Sequence, residues 1–427
     1  MVRTVPPTLH SRFLFSLQTN REAKLEMRTG DQALVKELNK SIVLNTLRQH
    51  APISRADIAK ITGLNKATVS TLVDELLKEH LVREIGMGAS RGGRRPRLLI
   101  LNDRAAIVVG AEIGVDSLTV VVQDLLGRPI WRKHHRFGTV PEPEPALQHL
   151  ARLISEGISH FPDVPLGLRG IGVGIPGLVD FDQGVLLYAP NLGWRDVRIR
   201  EWLEERFAVP VKVDNEANAG AVAEHWSGAA VGIEDVVYFS VGIGVGAGII
   251  LRGELMRGVG GMAGEIGHTT IDVTGPACAC GNRGCLEVFA SEAALRRHFA
   301  QSAAAQAGSD SPNANEPVSV ADIARAADAG NAAAIAALNN VARYLGVGVA
   351  NAINTFNPQR VVIGGPLALG GAYILNPVRQ VIEERALVPP RLQTNIVIAA
   401  HGLAGCAIGA GAIVLQDLFR LPTVSSS

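Results

Sequence analysis

Cysteine is scarce in this sequence, with only four residues in a chain of 427. So few cysteines in a long chain argue against the disulfide framework that stabilises small secreted domains. Three of the four, Cys278, Cys280 and Cys285, fall within eight residues of one another, whereas Cys406 stands alone. Such a cluster is typical of metal ligands rather than of paired half-cystines.

Long apolar runs are also missing, since none in the sequence approaches the ~18–20 residues that a membrane span requires. The first residues are basic and include a short apolar patch at 13–17. They contain neither the long hydrophobic region nor the small-residue cleavage site of a secretory signal. We therefore expect a cytoplasmic protein with no membrane partner, in which residues 1–30 form a flexible N-terminal tail.

Charge is almost balanced over the whole chain, with a formal net charge of +1, but it is unevenly distributed. Residues 1–102 contain 17 Lys and Arg against 9 Asp and Glu, and the remainder contains 24 against 31. A hydrophobic content of 47% with 19% charged residues is typical of globular proteins, and the length allows two or three domains. A basic first quarter on an acidic body predicts a module that faces nucleic acid, joined to a domain with another task.

Three helices are predicted between residues 41 and 78. The first covers 41–48, and Pro52 follows as a helix breaker. Ser54 and Asp57 have the spacing of a capping box at the start of the second helix, and Gly63 marks its end. Asn65 can cap the third, whose apolar residues recur at helical spacing: Val69, Leu72, Val73, Leu76 and Leu77. Its opposite face carries the polar side chains that a recognition helix offers to a DNA major groove: Lys66, Thr68, Ser70 and Thr71.

Two strands are predicted after the third helix, at 81–85 and 98–101, on either side of a glycine-containing loop. The loop carries Arg91, Arg94 and Arg95, which are candidates for contacts with phosphates or a minor groove. Helices and strands together predict a winged helix-turn-helix over residues 31–102 that binds DNA. The alternative is a small three-helix scaffold with a solvated basic loop.

Glycine-rich turns follow strand-like segments at three places after residue 106. The turns lie at 114–117, 242–248 and 364–366, each preceded by β-branched residues. Alternating glycines let a backbone approach a ligand closely and expose its N–H groups. Three such turns at these separations predict an α/β body with two lobes and a cleft, of the actin-like ATPase architecture. Residues 300–317 are predicted to form a surface loop between helices.

A Cys3His set of metal ligands is the most specific pattern in the sequence. Cys278, Cys280 and Cys285 follow His268 within a glycine-containing segment. One imidazole and three thiolates are the ligands of a closed tetrahedral zinc site, which has no open position for an activated water. The spacing therefore predicts a structural Zn²⁺.

The segment 265–291 resembles the signature of the ROK family, which comprises repressors, open reading frames and sugar kinases. The resemblance extends over the chain from Asp31 onward, and several stretches look closest to xylose repressors of Gram-positive bacteria: 63–66, 90–96, 191–196, 215–220 and 351–358. It implies a sugar-kinase-like sensor and dimerisation domain over 103–427. Within it, a small lobe would comprise about 103–214 plus the C-terminal helix, and a large lobe about 215–400. Operator DNA, a sugar effector and a homodimer or dimer of dimers are the implied partners.

The resemblance also implies which side chains would line a sugar pocket. Carboxylates, amides and imidazole bind neighbouring sugar hydroxyls, and the matching positions here are Asn191, Asn215, Glu216, Glu265, His268 and Glu287. His268 would also ligate zinc, and it would so connect the metal loop to the sugar. Solvated surface acids are the alternative interpretation of Glu216 and Glu265.

Kinases of the ROK family place Asp-x-Gly-Gly-Thr in the first hairpin and Gly-Thr-Gly in the second phosphate loop. Here the first stretch is 112–116, which lacks the Gly-Thr pair and adds the negative charge of Asp116 where phosphates would lie. The second has Ile243 in place of Thr. Glu216 occupies the position of the catalytic Asp. Because phosphoryl transfer depends on placement and charge neutralisation, we expect no kinase activity and no catalytic residue. The main hypothesis is a repressor that a sugar releases from DNA. An ATP-dependent sugar kinase with a DNA-binding head and a constitutive architectural DNA-binding protein are the alternatives.

Overall fold

The computed structural model describes residues 32–87, 95–137, 141–307 and 318–420. Arg91, Arg94 and the N-terminal tail lie outside these residues. Within them the chain forms a helical head that carries a small sheet, followed by a larger body built on two five-stranded sheets.

The head has the element order of a winged helix-turn-helix. Strands β1, β3 and β2 form its antiparallel sheet in that spatial order. Its elements are α1 (Gln32–His50), β1 (Ile53–Ser54), α2 (Arg55–Thr62), α3 (Lys66–Lys78), β2 (Val82–Met87) and β3 (Arg97–Leu101).

Local signals set the helix ends of the head. The Ser54 hydroxyl accepts a hydrogen bond from the Asp57 backbone N–H at 3.2 Å, and Gly63 ends α2 in the left-handed region with φ of 72°. Asn65 caps α3 by accepting from the Thr68 N–H at 2.7 Å. The predicted caps at Ser54, Gly63 and Asn65 are confirmed, but the capping box is only half formed: Asp57 Oδ2 accepts from the Ser54 hydroxyl at 2.6 Å, and no bond to the Ser54 backbone N–H is found among the described residues. The first helix begins at Gln32, well before the predicted residue 41.

The first lobe of the body is a sheet in the order β11-β7-β4-β5-β6. Strands β4, β7 and β11 run parallel, and β4, β5 and β6 form an antiparallel meander. A smaller sheet, β10-β9-β8, extends this lobe. The elements are β4 (Ile107–Ile113), β5 (Ser117–Asp124), β6 (Pro129–Arg136), α4 (Pro143–Ser159), β7 (Leu168–Ile175), β8 (Leu178–Asp180), β9 (Val185–Ala189), β10 (Trp194–Val197), α5 (Ile199–Phe207) and β11 (Val211–Asn215).

The second lobe repeats this topology in the order β14-β13-β12-β15-β16, with β12, β15 and β16 parallel and β12, β13 and β14 antiparallel. The recurrence of one sheet pattern confirms the two-lobed α/β fold. The elements are α6 (Glu216–Ser227), β12 (Val236–Val241), β13 (Val245–Leu251), β14 (Glu254–Leu255), α7 (Leu286–Ala290), α8 (Glu292–Ala307), α9 (Val320–Asp328), α10 (Ala332–Phe356), β15 (Arg360–Gly364), α11 (Ala372–Arg385), α12 (Val388–Gln393) and β16 (Asn395–Ile398). The C-terminal helix α13 (Gly405–Phe419) follows and returns to the first sheet.

Helices α6 and α13 connect the two sheets. Helix α13 packs on β4 and β7, whereas α6 packs on β12 and β13, and the two helices contact each other along their length. Gly409 permits this approach, because a Cβ there would collide with the carbonyl oxygen of Ala219. On the sheet side, Gly172 similarly makes room for the backbone of α13.

One expectation about a chain segment was wrong. Helix α8 continues to Ala307, so the first part of the predicted 300–317 loop is helical, and residues 308–317 lie outside the described chain.

Two helical segments, Ala332–Phe356 and Gly402–Phe419, are long and apolar enough to cross a membrane by length and composition alone. Both are helices of the core, because 56% and 72% of their most apolar 18-residue stretches are buried inside the fold.

Candidate functional site

The four predicted metal ligands lie together. Their ligand atoms are all within 4.8 Å of one another. The Sγ atoms of Cys280 and Cys285 are 3.7 Å apart, and Cys278 Sγ is 3.8 Å from His268 Nδ1. With Zn–S bonds of about 2.3 Å, tetrahedral coordination places sulfur atoms about 3.8 Å apart, so the donor set and spacing fit Zn²⁺. This Cys3His group can therefore hold a metal ion.

The backbone brings the three cysteines together through a tight turn. Cys278 N–H donates to the Asn282 carbonyl at 2.8 Å, and Gly281 N–H donates to the Cys278 carbonyl at 3.0 Å. Gly284 has φ of +65°, and a Cβ there would collide with the Asp272 carbonyl oxygen. Burial raises the pKa of the Cys285 thiol to about 12, so a bound cation would be needed to keep it as a thiolate at neutral pH.

His268 joins the cysteine cluster to the cleft. Its Nδ1 faces Cys278, and its Nε2 lies 3.9 Å from Glu265 Oε2. Glu287, in the first turn of α7, accepts a hydrogen bond from the Val245 N–H at 3.1 Å, and its other oxygen is 4.0 Å from Cys278 Sγ. The loop that positions the cysteines therefore also positions two of the predicted sugar ligands.

Glu216 lies at the centre of a group of carboxylates. Burial raises its pKa to about 8, and the nearby charges of Glu112, Glu265 and Glu287 add to the shift. Burial likewise raises the pKa of Glu112 to about 7. None of Glu112, Glu216 and Glu287 pairs with Lys or Arg among the described residues. The alternative of a solvated surface acid is therefore wrong for Glu216, whereas the Glu265 side chain is 46% exposed and the structure leaves both interpretations open for it.

Asn215 ends β11 and caps α6, and its amide is fully engaged. Its Oδ1 accepts from the Ala217 N–H at 2.8 Å, while Nδ2 donates to the Gly177 carbonyl and to Glu216 Oε2, both at 3.0 Å. It thus orients Glu216. Asn191 is exposed in the turn between β9 and β10, and no hydrogen bond of the described residues connects its side chain to the other candidates.

Sequence reasoning missed two features of the cleft. Glu112 was considered only as part of the first hairpin, although burial and its proximity to Glu216 place it in the carboxylate group. Asp214, only 3% exposed at its side chain, accepts from Arg257 Nε at 3.0 Å and Nη2 at 2.9 Å, and this ion pair connects the two lobes. Asp214 could have been noticed from its position at a strand end, but nothing in the local sequence indicates Arg257.

One part of the argument against phosphate binding needs correction. Asp116 was expected to place a negative charge where phosphates would lie. Its carboxylate lies near Glu292, which borders the second glycine turn, but it pairs with Arg136 Nη2 at 2.8 Å, so Arg136 offsets the negative charge there. Glu112 and Glu216 are buried, and their pKa values, raised to about 7 and about 8, favour the protonated form at neutral pH. In the second glycine turn Ile243 is 46% exposed and offers no hydroxyl donor.

The predicted DNA face of the head is accessible at several positions. Lys66 and Thr71 are exposed on α3, Thr68 is half-buried, and Arg95 is exposed beside β3. Ser70 is half-buried, and its hydroxyl accepts from Arg55 Nη1 at 3.0 Å. The Ser70 hydroxyl thus helps to fix α2 against α3.

Comparison with known proteins agrees with this architecture. The ROK family profile matches residues 108–417, and the MarR family profile matches residues 37–95. A xylose repressor of Caldicellulosiruptor bescii is 39% identical over 396 residues, which cover 92% of this chain and 99% of that protein. The xylose repressor of Bacillus subtilis (strain 168) is 37% identical over 398 residues, covering 93% of this chain and 100% of the repressor.

Solved structures of the same fold include a repressor-like regulator and a kinase. A ROK family transcriptional regulator, a homologue of the E. coli MLC protein, superposes with a TM-score of 0.77 at 28% identity, covering 90% of this chain and 97% of its own. A ROK family glucokinase from Streptomyces griseus, in complex with glucose and AMPPNP, gives 0.65 at 30% identity, covering 73% and 99%. The kinase matches only the extent of the body, whereas the regulator also spans the head. The chain therefore belongs to the ROK family, and it carries an N-terminal winged helix-turn-helix ahead of the sugar-kinase-like body.

Proposed function

We propose that this protein is a transcriptional repressor that binds operator DNA through its winged helix and is released by a sugar, with xylose as the favoured effector. The observation that carries the proposal is the pairing of an accessible recognition helix with a cleft in which several carboxylates converge without a basic partner. Carboxyl groups accept hydrogen bonds from sugar hydroxyls, but they offer no positive charge for a phosphate. The names of the similar xylose repressors support xylose in particular.

In this proposal the sugar ligands come from both lobes. Glu265, His268 and Glu287 lie on the segment that holds the cysteines, and Asn215 and Glu216 lie at the start of α6. Asn191 would contribute from the adjacent β9–β10 turn. We assign the main contact with the sugar to Glu265. Its carboxylate forms no side-chain hydrogen bond among the described residues, and its Oε2 lies 3.9 Å from His268 Nε2.

The Cys3His group would hold one structural Zn²⁺. The ion would keep the Cys278–Cys285 turn folded and would hold His268 Nδ1, so that Nε2 remains directed towards Glu265 and the sugar. Four protein ligands leave no position for a substrate or an activated water.

We infer that the body is not a sugar kinase. The first glycine turn lacks the Gly-Thr pair, Ile243 replaces a hydroxyl donor in the second, and Glu112 and Glu216 pair with no Lys or Arg among the described residues. A coupled assay for ADP release with xylose and glucose tests this inference. Turnover in that assay would favour the kinase alternative.

Contacts with DNA are assigned to Lys66, Thr68, Ser70 and Thr71 on α3 and to Arg91, Arg94 and Arg95 of the wing. Replacing both Arg94 and Arg95 by Ala should weaken binding to all sequences and reduce the salt slope by up to about 2, because each lost phosphate contact removes about one unit. Arg152→Ala, an exposed change on α4, is the control. An unchanged salt slope in the double variant would show that the wing does not contact phosphates.

The remaining assignments follow the ROK architecture. Residues 31–102 form the DNA-binding domain and 103–427 the sensor, with lobes of about 103–214 plus the C-terminal helix and about 215–400. The protein would act in the cytoplasm as a homodimer or dimer of dimers, because winged-helix repressors bind two half-sites.

The proposed function is tested by operator binding in the presence of sugars. Gel-shift titrations on the region upstream of the protein's own gene, with xylose, glucose and N-acetylglucosamine, should show weaker binding with the effector. A hundredfold decrease corresponds to about 2.7 kcal/mol of coupling. Glu265→Gln should bind DNA normally but lose the response to sugar, whereas Glu254→Gln on the exposed β14 should retain it.

Two outcomes would contradict the proposal. If no sugar changes operator affinity and calorimetry detects no bound sugar, the body is not a sensor. If sugars raise the thermal midpoint of the protein without changing operator affinity, sugar binding is not coupled to DNA. In the second case the architectural alternative gains support.

A further inference from the structure

The head and the body share one apolar core. Leu44 and Leu47 of α1 belong to the same buried cluster as Leu415 and Phe419 at the end of α13. Asn45 adds a polar contact, because its Nδ2 donates to the Phe419 carbonyl at 2.7 Å. The first helix of the DNA-binding head is therefore packed directly on the last helix of the sensor.

Arg48 lies at the centre of this junction. Its guanidinium carbon is 4.4 Å from the ring centroid of Trp226, near the end of α6, and 5.6 Å from that of Phe419. Both distances are within the range of cation–π attraction. Its Nε is buried and has no hydrogen-bond partner among the described residues, and no described carboxylate forms an ion pair with it. Two aromatic faces are thus the main partners of this cation.

Helix α6 connects this junction to the proposed sugar site. Glu216 is its first residue and Trp226 its second-last, so about 15 Å of helix separate the carboxylate group from Arg48. Eight consecutive residues of the helix, Ala217 to Glu224, are buried. A displacement of its N-terminal end would therefore be transmitted along a packed, regular element rather than absorbed by a loop.

Helix α6 is also fixed to the start of α13. Glu224 is only 1% exposed. Its carboxylate accepts hydrogen bonds from three backbone N–H groups, those of Ala229 at 2.7 Å and of Ala400 and His401 at 3.0 Å. The close contact of Gly409 with Ala219 holds the middle of the two helices. Helices α6 and α13 thus form one unit. Near the head, Trp226 of α6 and Phe419 of α13 each place an aromatic ring against Arg48.

We propose that Arg48 is a positioning residue that couples sugar binding at the N-terminal end of α6 to the orientation of the DNA-binding head, through its contacts with Trp226 and Phe419. This inference rests on the proposed function, because it requires a sugar response to transmit. Arg48 itself would contact neither sugar nor DNA. A cation held by ring faces loses attraction when the rings shift. If sugar binding moves the α6–α13 unit, the contact between this unit and the DNA-binding head therefore differs in strength with and without sugar.

The test compares operator affinity with and without saturating xylose in full-length variants. Arg48→Met removes the cation, and Arg48→Lys retains the charge but not the planar group that stacks on both rings. In each we expect the ratio of the two operator Kd values to fall at least fivefold towards 1. Calorimetric affinity for xylose without DNA should stay within about twofold of the wild type. Arg152→Ala should keep the full ratio.

Trp226 provides an independent set of variants. Trp226→Leu should lose the sugar-dependent ratio, whereas Trp226→Phe should retain most of it, because phenylalanine keeps a ring face for Arg48. In the Arg48→Met, Trp226→Leu double variant the sugar-dependent ratio should fall no further than in either single variant, because both substitutions remove the same Arg48–Trp226 contact. If Arg48→Met proves unstable in thermal unfolding, the Trp226 pair alone decides.

The outcomes separate the two proposals. A wild-type protein that shows no change in operator affinity with any sugar would overturn the proposed function itself. A wild type that responds, with Arg48→Met, Arg48→Lys and Trp226→Leu responding equally well, would overturn the role of Arg48 while leaving the repressor function intact. A purely structural role for Arg48 would lower the thermal midpoint but leave the ratio unchanged.

Discussion

At the residue scale, the four cysteines show how surroundings decide the use of one side chain. Cys278, Cys280 and Cys285 lie beside His268 in a turn that fits a metal ion. Cys406 is buried in α13, and burial raises its pKa well above the usual range. The same side chain can therefore serve as a metal ligand in one place and as a small apolar residue in the other.

Cys278→Ser should reduce bound zinc from one ion per chain to nearly none. It should also lower the thermal midpoint and weaken sugar binding by about tenfold, because the loop that holds the ion carries His268 and leads into Glu287. Elemental analysis, thermal unfolding and calorimetry measure the three effects. Cys406→Ala is the matched control and should keep its zinc. Full zinc content in Cys278→Ser would contradict the assignment.

Glu216 makes stability depend on pH in a definite direction. Burial raises its pKa from 4.5 to about 8, with Glu112, Glu265 and Glu287 adding repulsion, so the folded protein holds a proton that the unfolded chain has lost. The free energy of unfolding should therefore fall as the pH rises from about 5 to 8. In Glu216→Gln this fall should be smaller by on the order of 2 kcal/mol.

Urea unfolding at pH 5 and pH 8 measures that difference. Glu201→Gln, an exposed change on α5, should leave the pH dependence of the wild type intact. The pKa of Glu112, raised by burial to about 7, acts in the same direction, so part of the dependence should remain in Glu216→Gln. An identical pH profile in the wild type and Glu216→Gln would show that Glu216 is ionised in the folded protein.

At the element scale, helix ends with a local cap were predicted well and helix lengths less well. Ser54, Gly63 and Asn65 mark the ends of α2 and the start of α3, as expected. Helix α8 extends through residues that were predicted to be a loop. Its alanine-rich composition favours a helix, and this preference outweighs the Ser and Gln residues among the alanines.

Asn65→Ala should destabilise the head by about 0.5–2 kcal/mol, because the Thr68 N–H loses its acceptor. Operator affinity should fall with it, since the first turn of α3 carries Lys66 and Thr68. Chemical unfolding and gel-shift titration report the two effects. Asn65→Ser, which keeps an acceptor at the cap, should restore most of both; equal losses in Ala and Ser variants would mean that the cap is unimportant.

At the scale of the whole molecule, the two lobes share a sheet topology and are joined by α6, α13 and the Asp214–Arg257 ion pair. Asp214 precedes Asn215 and Glu216, so the pair holds the N-terminal end of α6 against the second lobe. Asn218 Nδ2 also donates to Asp214 at 2.9 Å. The carboxylate is buried and would be left partly unpaired if Arg257 were removed.

Arg257→Ala should lower the free energy of unfolding by about 2–4 kcal/mol and weaken sugar binding, because a buried charge loses its partner. Asp214→Asn in the same chain should recover part of the stability. Arg198→Ala, which breaks the exposed Arg198–Glu201 pair, is the control and should cost less than about 1 kcal/mol. A cost for Arg257→Ala no larger than that of Arg198→Ala would mean that the ion pair does not hold the lobes.

The sequence by itself determined the features that depend on neighbours a few residues apart. Caps, the apolar face of α3, the two strands of the wing and the Cys-x-Cys turn follow from local hydrogen bonds and helical spacing, and all could be predicted. The ROK signature added the two-lobed body. These features need no knowledge of how distant segments pack.

Only the tertiary structure decided which distant side chains meet. Glu112 and Glu216 come together because β4 and β11 belong to one sheet, while Glu265 and Glu287 arrive from the other lobe. The charge of Asp116 is offset by Arg136, because β5 and β6 are neighbours and bring the two side chains together. The contacts of Arg257 and Arg48 carry no local pattern at all. Long flexible side chains pair with whatever the packed backbone places beside them, and that placement depends on the whole fold.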